Sequence, residues 1–120
     1  FGLAGHASEM AQASHVTVAL QVSDLPLLAG AKALAQRGYK TRASATNRAF
    51  VEPITQIEGA PDPLLLEFVF DAQTSGGLLI SVPPDRANEL VNRAQEGGAV
   101  ASCIVGEVLP YEERCLRLKG

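Results

Sequence analysis

His15-Val16-Thr17-Val18-Ala19-Leu20-Gln21-Val22-Ser23 places Val16, Val18, Leu20 and Val22 at even positions and the polar His15, Thr17, Gln21 and Ser23 at odd ones. An alternation of period two is the mark of a β-strand with one buried face. The stretch decides the class because helical patterns flank it on both sides. Before it, Leu3, Ala7, Met10, Ala11 and Ser14 recur at helical spacing and predict a helix over residues 3–14 whose small-residue face packs closely. After it, Asp24 and Pro26 open a second helix with Leu27, Leu28, Ala31, Leu34 and Ala35 as its apolar stripe and Gly38 as its stop.

Residues 39–63 carry no period and read as a long excursion with a short strand near 54–57, of the kind compact domains keep for function. Residues 64–70 are apolar apart from Glu67 and fit either a short buried helix or a strand. The polar turn Asp71-Ala72-Gln73-Thr74-Ser75-Gly76-Gly77 then feeds the apolar run 78–82, expected to be a central strand. Pro83-Pro84-Asp85 starts a third helix, with Ala87, Leu90, Val91 and Ala94 as its stripe and Gly97-Gly98 as its stop. Residues 101–109 and 114–119 complete the chain as two strands around a hairpin at 110–113. The expected fold is α+β, a mixed sheet of about four strands with helices packed on one face.

At 120 residues the chain is a single domain, and 47% hydrophobic content excludes a disordered tail. No apolar run approaches the ~20 residues of a membrane span. A net charge of −3 with 5% aromatic residues and no Trp offers nucleic acid neither a basic footprint nor stacking platforms. Cys103 and Cys115 match no disulfide framework or zinc pattern and read as small hydrophobes of a reducing cytoplasm. The chain opens on Phe1-Gly2-Leu3, without an initiator Met or a leader pattern, and reads as a piece of a longer polypeptide.

The chemistry-bearing residues are sparse. Thr74, Ser75, Gly76 and Gly77 fit a tight turn, a phosphate or nucleotide contact, or a domain interface. A P-loop would need its glycines to lead into a helix, whereas these lead into a predicted strand. His6 and Glu9 share a helix face, but a metal needs further ligands and His15, the other histidine, begins a strand; no metal site is expected. No nucleophile–base pair or carboxylate pair stands out. Between Asp24 and Glu52 there is no acid, while Lys32, Arg37, Lys40, Arg42 and Arg48 form a local positive field. Such a field suits a phosphate-bearing ligand or an acidic surface, or is simply solvated.

Four blocks accumulate into a family likeness: Phe1-Gly2-Leu3-Ala4-Gly5-His6 with Glu9-Met10, Leu25-Pro26-Leu27-Leu28-Ala29-Gly30-Ala31, Asp71-Ala72-Gln73-Thr74-Ser75-Gly76-Gly77-Leu78-Leu79-Ile80, and Ile104-Val105-Gly106-Glu107-Val108. In this order they resemble the C-terminal domain of the selenophosphate synthetase (selenide, water dikinase) family, within the aminoimidazole ribonucleotide synthetase-like superfamily. Ala72 stands where that family usually has proline. Its usual Pro-Gly-Gly is missing ahead of Thr46-Asn47-Arg48, which sits where the family's Asn is expected.

The resemblance implies a parent enzyme that makes selenophosphate from ATP, selenide and water, releasing AMP and phosphate and using Mg2+. The family's catalytic Cys or selenocysteine, Lys and metal-binding Asp residues lie in the part before Phe1, so no catalytic residue or metal ligand is expected here. Neither ATP nor Mg2+ is expected to bind this piece alone. Thr74, Ser75, Gly76, Gly77, Asn47 and Arg48 are the expected nucleotide or substrate contacts, and Phe1 and His6 the expected domain interface. The expected partner is the N-terminal domain of the same polypeptide, in a cytoplasmic homodimer, with this domain as wall or lid of the site and inactive by itself. The alternatives are the equivalent domain of a related thiamine-monophosphate kinase or aminoimidazole ribonucleotide synthetase, or a free-standing binding module.

Overall fold

The alternating stretch forms strand β1 (Val16–Gln21), and the rest of the molecule is arranged around it. The computed structural model describes residues 1–120. With β2 (Thr55–Glu58), β3 (Gly106–Pro110) and β4 (Leu116–Lys119), β1 builds a four-stranded sheet in the order β2-β4-β1-β3. β1 runs antiparallel to β3 and parallel to β4, and β2 runs parallel to β4, so the sheet is mixed as expected.

One face carries the core. Leu20 and Val22 from β1 and its end, and Leu116 and Leu118 from β4, are all 1% exposed or less. Helices α1 (Gly2–Ser14), α3 (Ala43–Val51) and α4 (Pro63–Phe70) cover them with Ala4, Ala7, Ala11, Val51, Leu66, Val69 and Phe70. In α1 the buried face is Ala4, Ala7, Ser8 and Ala11, whereas Met10 and Ser14, assigned to it by spacing, point outward. Alanines at this interface let the helix axis approach the sheet closely, and Ser8 turns its hydroxyl back to the Gly5 carbonyl at 2.7 Å.

The opposite face is charged and closed by its own side chains. Ala19, paired with Glu107 on one side and Arg117 on the other, is 1% exposed. Arg117 bridges Glu58, at 3.1 Å, and Glu112, while Lys119 reaches Glu107 at 2.9 Å.

The predicted hairpin is replaced by a crossover. β3 and β4 lie on opposite sides of β1, so the chain between them passes the end of that strand. Thr17 holds the crossing: its Oγ1 accepts the Glu112 N–H at 2.9 Å and donates to the Arg114 carbonyl at 2.7 Å. The Val18 N–H adds a 2.9 Å bond to the Cys115 carbonyl. A residue expected to face solvent is therefore 1% exposed, as a buried polar clasp.

Other readings change. Residues 78–82 join no strand: Leu78 is 90% exposed, and β4 occupies the place beside β1. The fourth strand is β2, close to the short strand read at 54–57. The second helix, α2 (Ala31–Gln36), starts late because residues 25–30 are irregular and Gly30 takes a left-handed φ of 82°. Of its predicted stripe only Ala35 is buried.

The excursion contains α3, hidden from a hydrophobic reading because its buried side is Ser44, Asn47 and Val51. Residues 64–70 resolve as α4, capped by Asp62, whose carboxylate accepts the Leu64 N–H at 2.9 Å. That bond first, then Lys32, holds the Asp62 carboxyl below its usual range. α5 (Pro84–Glu96) forms as predicted but buries no residue. The final strands are shorter than read, covering 106–110 and 116–119. No helix is long and apolar enough to cross a membrane.

Candidate functional site

The start of α1 meets the end of α4. Gly2 sits at a φ of 72°, and a Cβ there would lie 2.8 Å from the carbonyl carbon and oxygen of Phe70 and 3.0 Å from the Asp71 carbonyl. Only glycine permits both the left-handed backbone and that approach. From α3, the buried Asn47 donates its side-chain amide to the Phe70 carbonyl at 2.9 Å, and the Arg48 guanidinium lies 5.5 Å from the Phe70 ring centroid. Just ahead of and within α3, Thr41 Oγ1 donates to the Asp71 carboxylate at 2.7 Å and Ser44 Oγ lies 3.4 Å from the same oxygen. The Phe70–Asp71 peptide is thus gripped by two segments remote from it in sequence.

An aromatic patch opens to solvent beside this junction. Phe1 is 64% exposed and Phe50 60%, with ring centroids 6.0 Å apart, and Phe1 also meets the His6 ring edge-on at 6.2 Å. His6 Nδ1 lies 3.3 Å from the Glu9 carboxylate.

Of the residues singled out in the sequence, Phe1, His6, Asn47 and Arg48 are therefore gathered at one end of the molecule. Thr74, Ser75, Gly76 and Gly77 are not part of that gathering. They form an exposed turn, with Ser75 at a φ of 58° and the Gly76 N–H bonded to the Gln73 carbonyl at 3.2 Å. This turn begins only three residues after Asp71. Thr41, Ser44, Phe50 and the role of Asp71 escaped sequence reading, because a hydroxyl in an aperiodic stretch gives no spacing signal.

The positive field is largely engaged. Lys32 pairs with Asp62 at 3.2 Å and Lys40 with Glu67 at 3.2 Å, while Arg37 lies 5.6 Å from the Tyr39 ring centroid. A cleft of about 420 Å³ opens beside Asp71, between the segment after α2 and the side of α4. Cys103 is exposed; Cys115 is buried, and burial pushes its thiol up from 9.0, away from thiolate chemistry at neutral pH. No three His, Cys, Asp or Glu side chains are grouped to hold a metal ion.

A mixed four-stranded sheet with helices on one face, and a glycine-tight polar junction at one end, defines a small α+β domain that presents a surface rather than an enclosed pocket. The chain belongs to the family described as AIR synthase related protein, C-terminal domain, whose model matches residues 1–114. It is similar to "Selenide, water dikinase 2" of Peptoclostridium acidaminophilum, 37% identical over 116 residues, which cover 97% of this chain and 33% of that protein. It is also similar to "Selenide, water dikinase" of Nitratidesulfovibrio vulgaris (strain DSM 19637 / Miyazaki F), 44% identical over 109 residues, 91% of this chain and 31% of that one. A third relative, "Selenide, water dikinase" of Clostridioides difficile (strain 630), is 37% identical over 114 residues, 95% of this chain and 33% of that one. The chain spans about a third of the length of these curated relatives.

Proposed function

We propose that this chain is the C-terminal domain of a selenide, water dikinase, and that its junction end forms one wall of a site completed by an N-terminal domain. The observation that carries the reading is the likeness to proteins of that name over nearly the whole chain, 97% of it in one case. In this reading the parent uses ATP and Mg2+ to phosphorylate selenide, in the cytoplasm and as a homodimer. The exposed Phe1, His6 and Phe50 patch takes the N-terminal domain. Asn47 and Arg48 stand at the edge of the shared site, and the Thr74–Gly77 turn is presented beside it as a nucleotide or substrate contact.

The chain's own residues do not compose a magnesium site. Asp71 is already engaged by Thr41 and Ser44, and no second or third acidic ligand joins it. In this reading magnesium and the phosphoryl-transfer groups are supplied by the N-terminal domain, and the present domain is inert by itself.

The test is to place the chain behind the N-terminal two thirds of the C. difficile relative and follow selenide-dependent AMP formation from ATP. The chimera is expected to be active and the chain alone silent. Selenide-dependent AMP formation by the isolated chain, or a folded chimera without it, would contradict the reading.

A further inference from the structure

We infer that residues 30–41, carrying α2, form a charge-latched lid over the cleft beside Asp71. Gly30, at a φ of 82°, opens the segment, and Gly38, at 86°, lies between α2 and the last three residues, 39–41. At neither position would a Cβ meet anything within 4 Å, so these glycines supply backbone freedom rather than room for a neighbour. Between them α2 has six residues, too few for a helix to persist without support, and Ala35 is its one buried residue. Leu34 is 50% exposed and Tyr39 63%.

What holds the segment down is polar. Lys32 pairs with Asp62 at one end, and at the other Lys40 pairs with Glu67 and Thr41 bonds to Asp71. All three acceptors belong to α4 or its immediate flanks. Under the segment lies the cleft of about 420 Å³, with Ala35, Tyr39 and Lys40 on one side and Glu67, Phe68 and Asp71 on the other.

An element sealed by apolar burial opens only when much of the domain unfolds. One held by exposed ion pairs, each worth ~0–1 kcal/mol and screened by salt, opens locally. Residues 30–41 thus lift about Gly30 and flex at Gly38 once the contacts of Lys32, Lys40 and Thr41 let go, while α1, α3 and α4 stay packed, and each opening exposes Asp71 at the root of the Thr74–Gly77 turn. The inference stands apart from the dikinase reading, since it rests only on how this segment is attached.

Native-state hydrogen exchange of the chain, read by mass spectrometry, tests it. Exchange would be compared at low and at high sodium chloride, and in Asp62→Asn, Glu67→Gln and the double variant. Asn at 62 keeps an acceptor for the Leu64 N–H, so α4 keeps its cap. The expected result is exchange about 3- to 10-fold faster in 31–41 at high salt or in the double variant, with β1 amides unchanged. The double variant should also lose the salt effect. Unchanged exchange of 31–41 in every condition, or acceleration only in step with β1, would overturn the lid.

Discussion

α1 and α5 are each thirteen residues long and have opposite fates. α1 is built of Ala, Gly and Ser with little contrast between its faces, yet six of its residues are buried. α5 separates its apolar stripe sharply from a charged face carrying Arg86, Glu89 and Arg93, yet none of its residues is buried, and Leu90 is 36% exposed. Amphipathic patterning says which side of a helix would be covered; it does not say that the chain itself supplies the cover. Small residues carry the complementary lesson, because they bury little area each but allow close approach to the sheet.

The sharpest way to break the comparison is to spoil the close approach. Ala7→Leu drives three extra heavy atoms into a fully buried position, and a loss of about 1–3 kcal/mol is expected from the urea midpoint at constant slope. The crossover clasp comes next. Thr17→Val leaves the Glu112 N–H and the Arg114 carbonyl without their partner, with an expected loss of about 1–2 kcal/mol and faster exchange confined to 111–115. In contrast, Leu90→Ala on α5 should move the midpoint by less than about 1 kcal/mol, because the side chain already meets water. A large loss there would show α5 to be packed after all.

The smallest effect concerns the cap of α4. The Asp62 carboxyl is held below its ordinary value of 3.8, chiefly by the Leu64 N–H. Its contribution is complete above that ordinary value and is lost as the pH falls through the lowered folded value. The stability difference between wild type and Asp62→Asn should therefore shrink between pH 5 and pH 2. A difference that stays constant across that range would remove the charge from the account.

β1, the span of α5 and the stops at Gly38 and Gly97 were legible because each rests on a local signal, a period or a glycine at a helix end. α3 was not, because its buried side includes Ser44 and Asn47, whose partners are the remote Asp71 and Phe70. The crossover was hidden for a similar reason: a polar Thr17 in an alternating strand reads as solvent-facing, and only the returning chain makes it a clasp. The run 78–82 misled in the other direction, since apolar content says nothing of a vacant place in a sheet. At the junction, Phe1, His6, Asn47 and Arg48 were reached through the family likeness. Thr41, Ser44 and Asp71 became visible as a group only when the fold brought them together.

In the proposed arrangement the junction end, and neither the charged sheet face nor the open stripe of α5, takes the partner domain. Hydrogen exchange of the chain, alone and with the separately produced N-terminal two thirds of the C. difficile relative, tests it directly. New protection is expected at residues 1–6 and 47–50, with none gained at 107, 117, 119 or along α5. Protection that appeared on α5 or the sheet face while residues 1–6 stayed unchanged would contradict it.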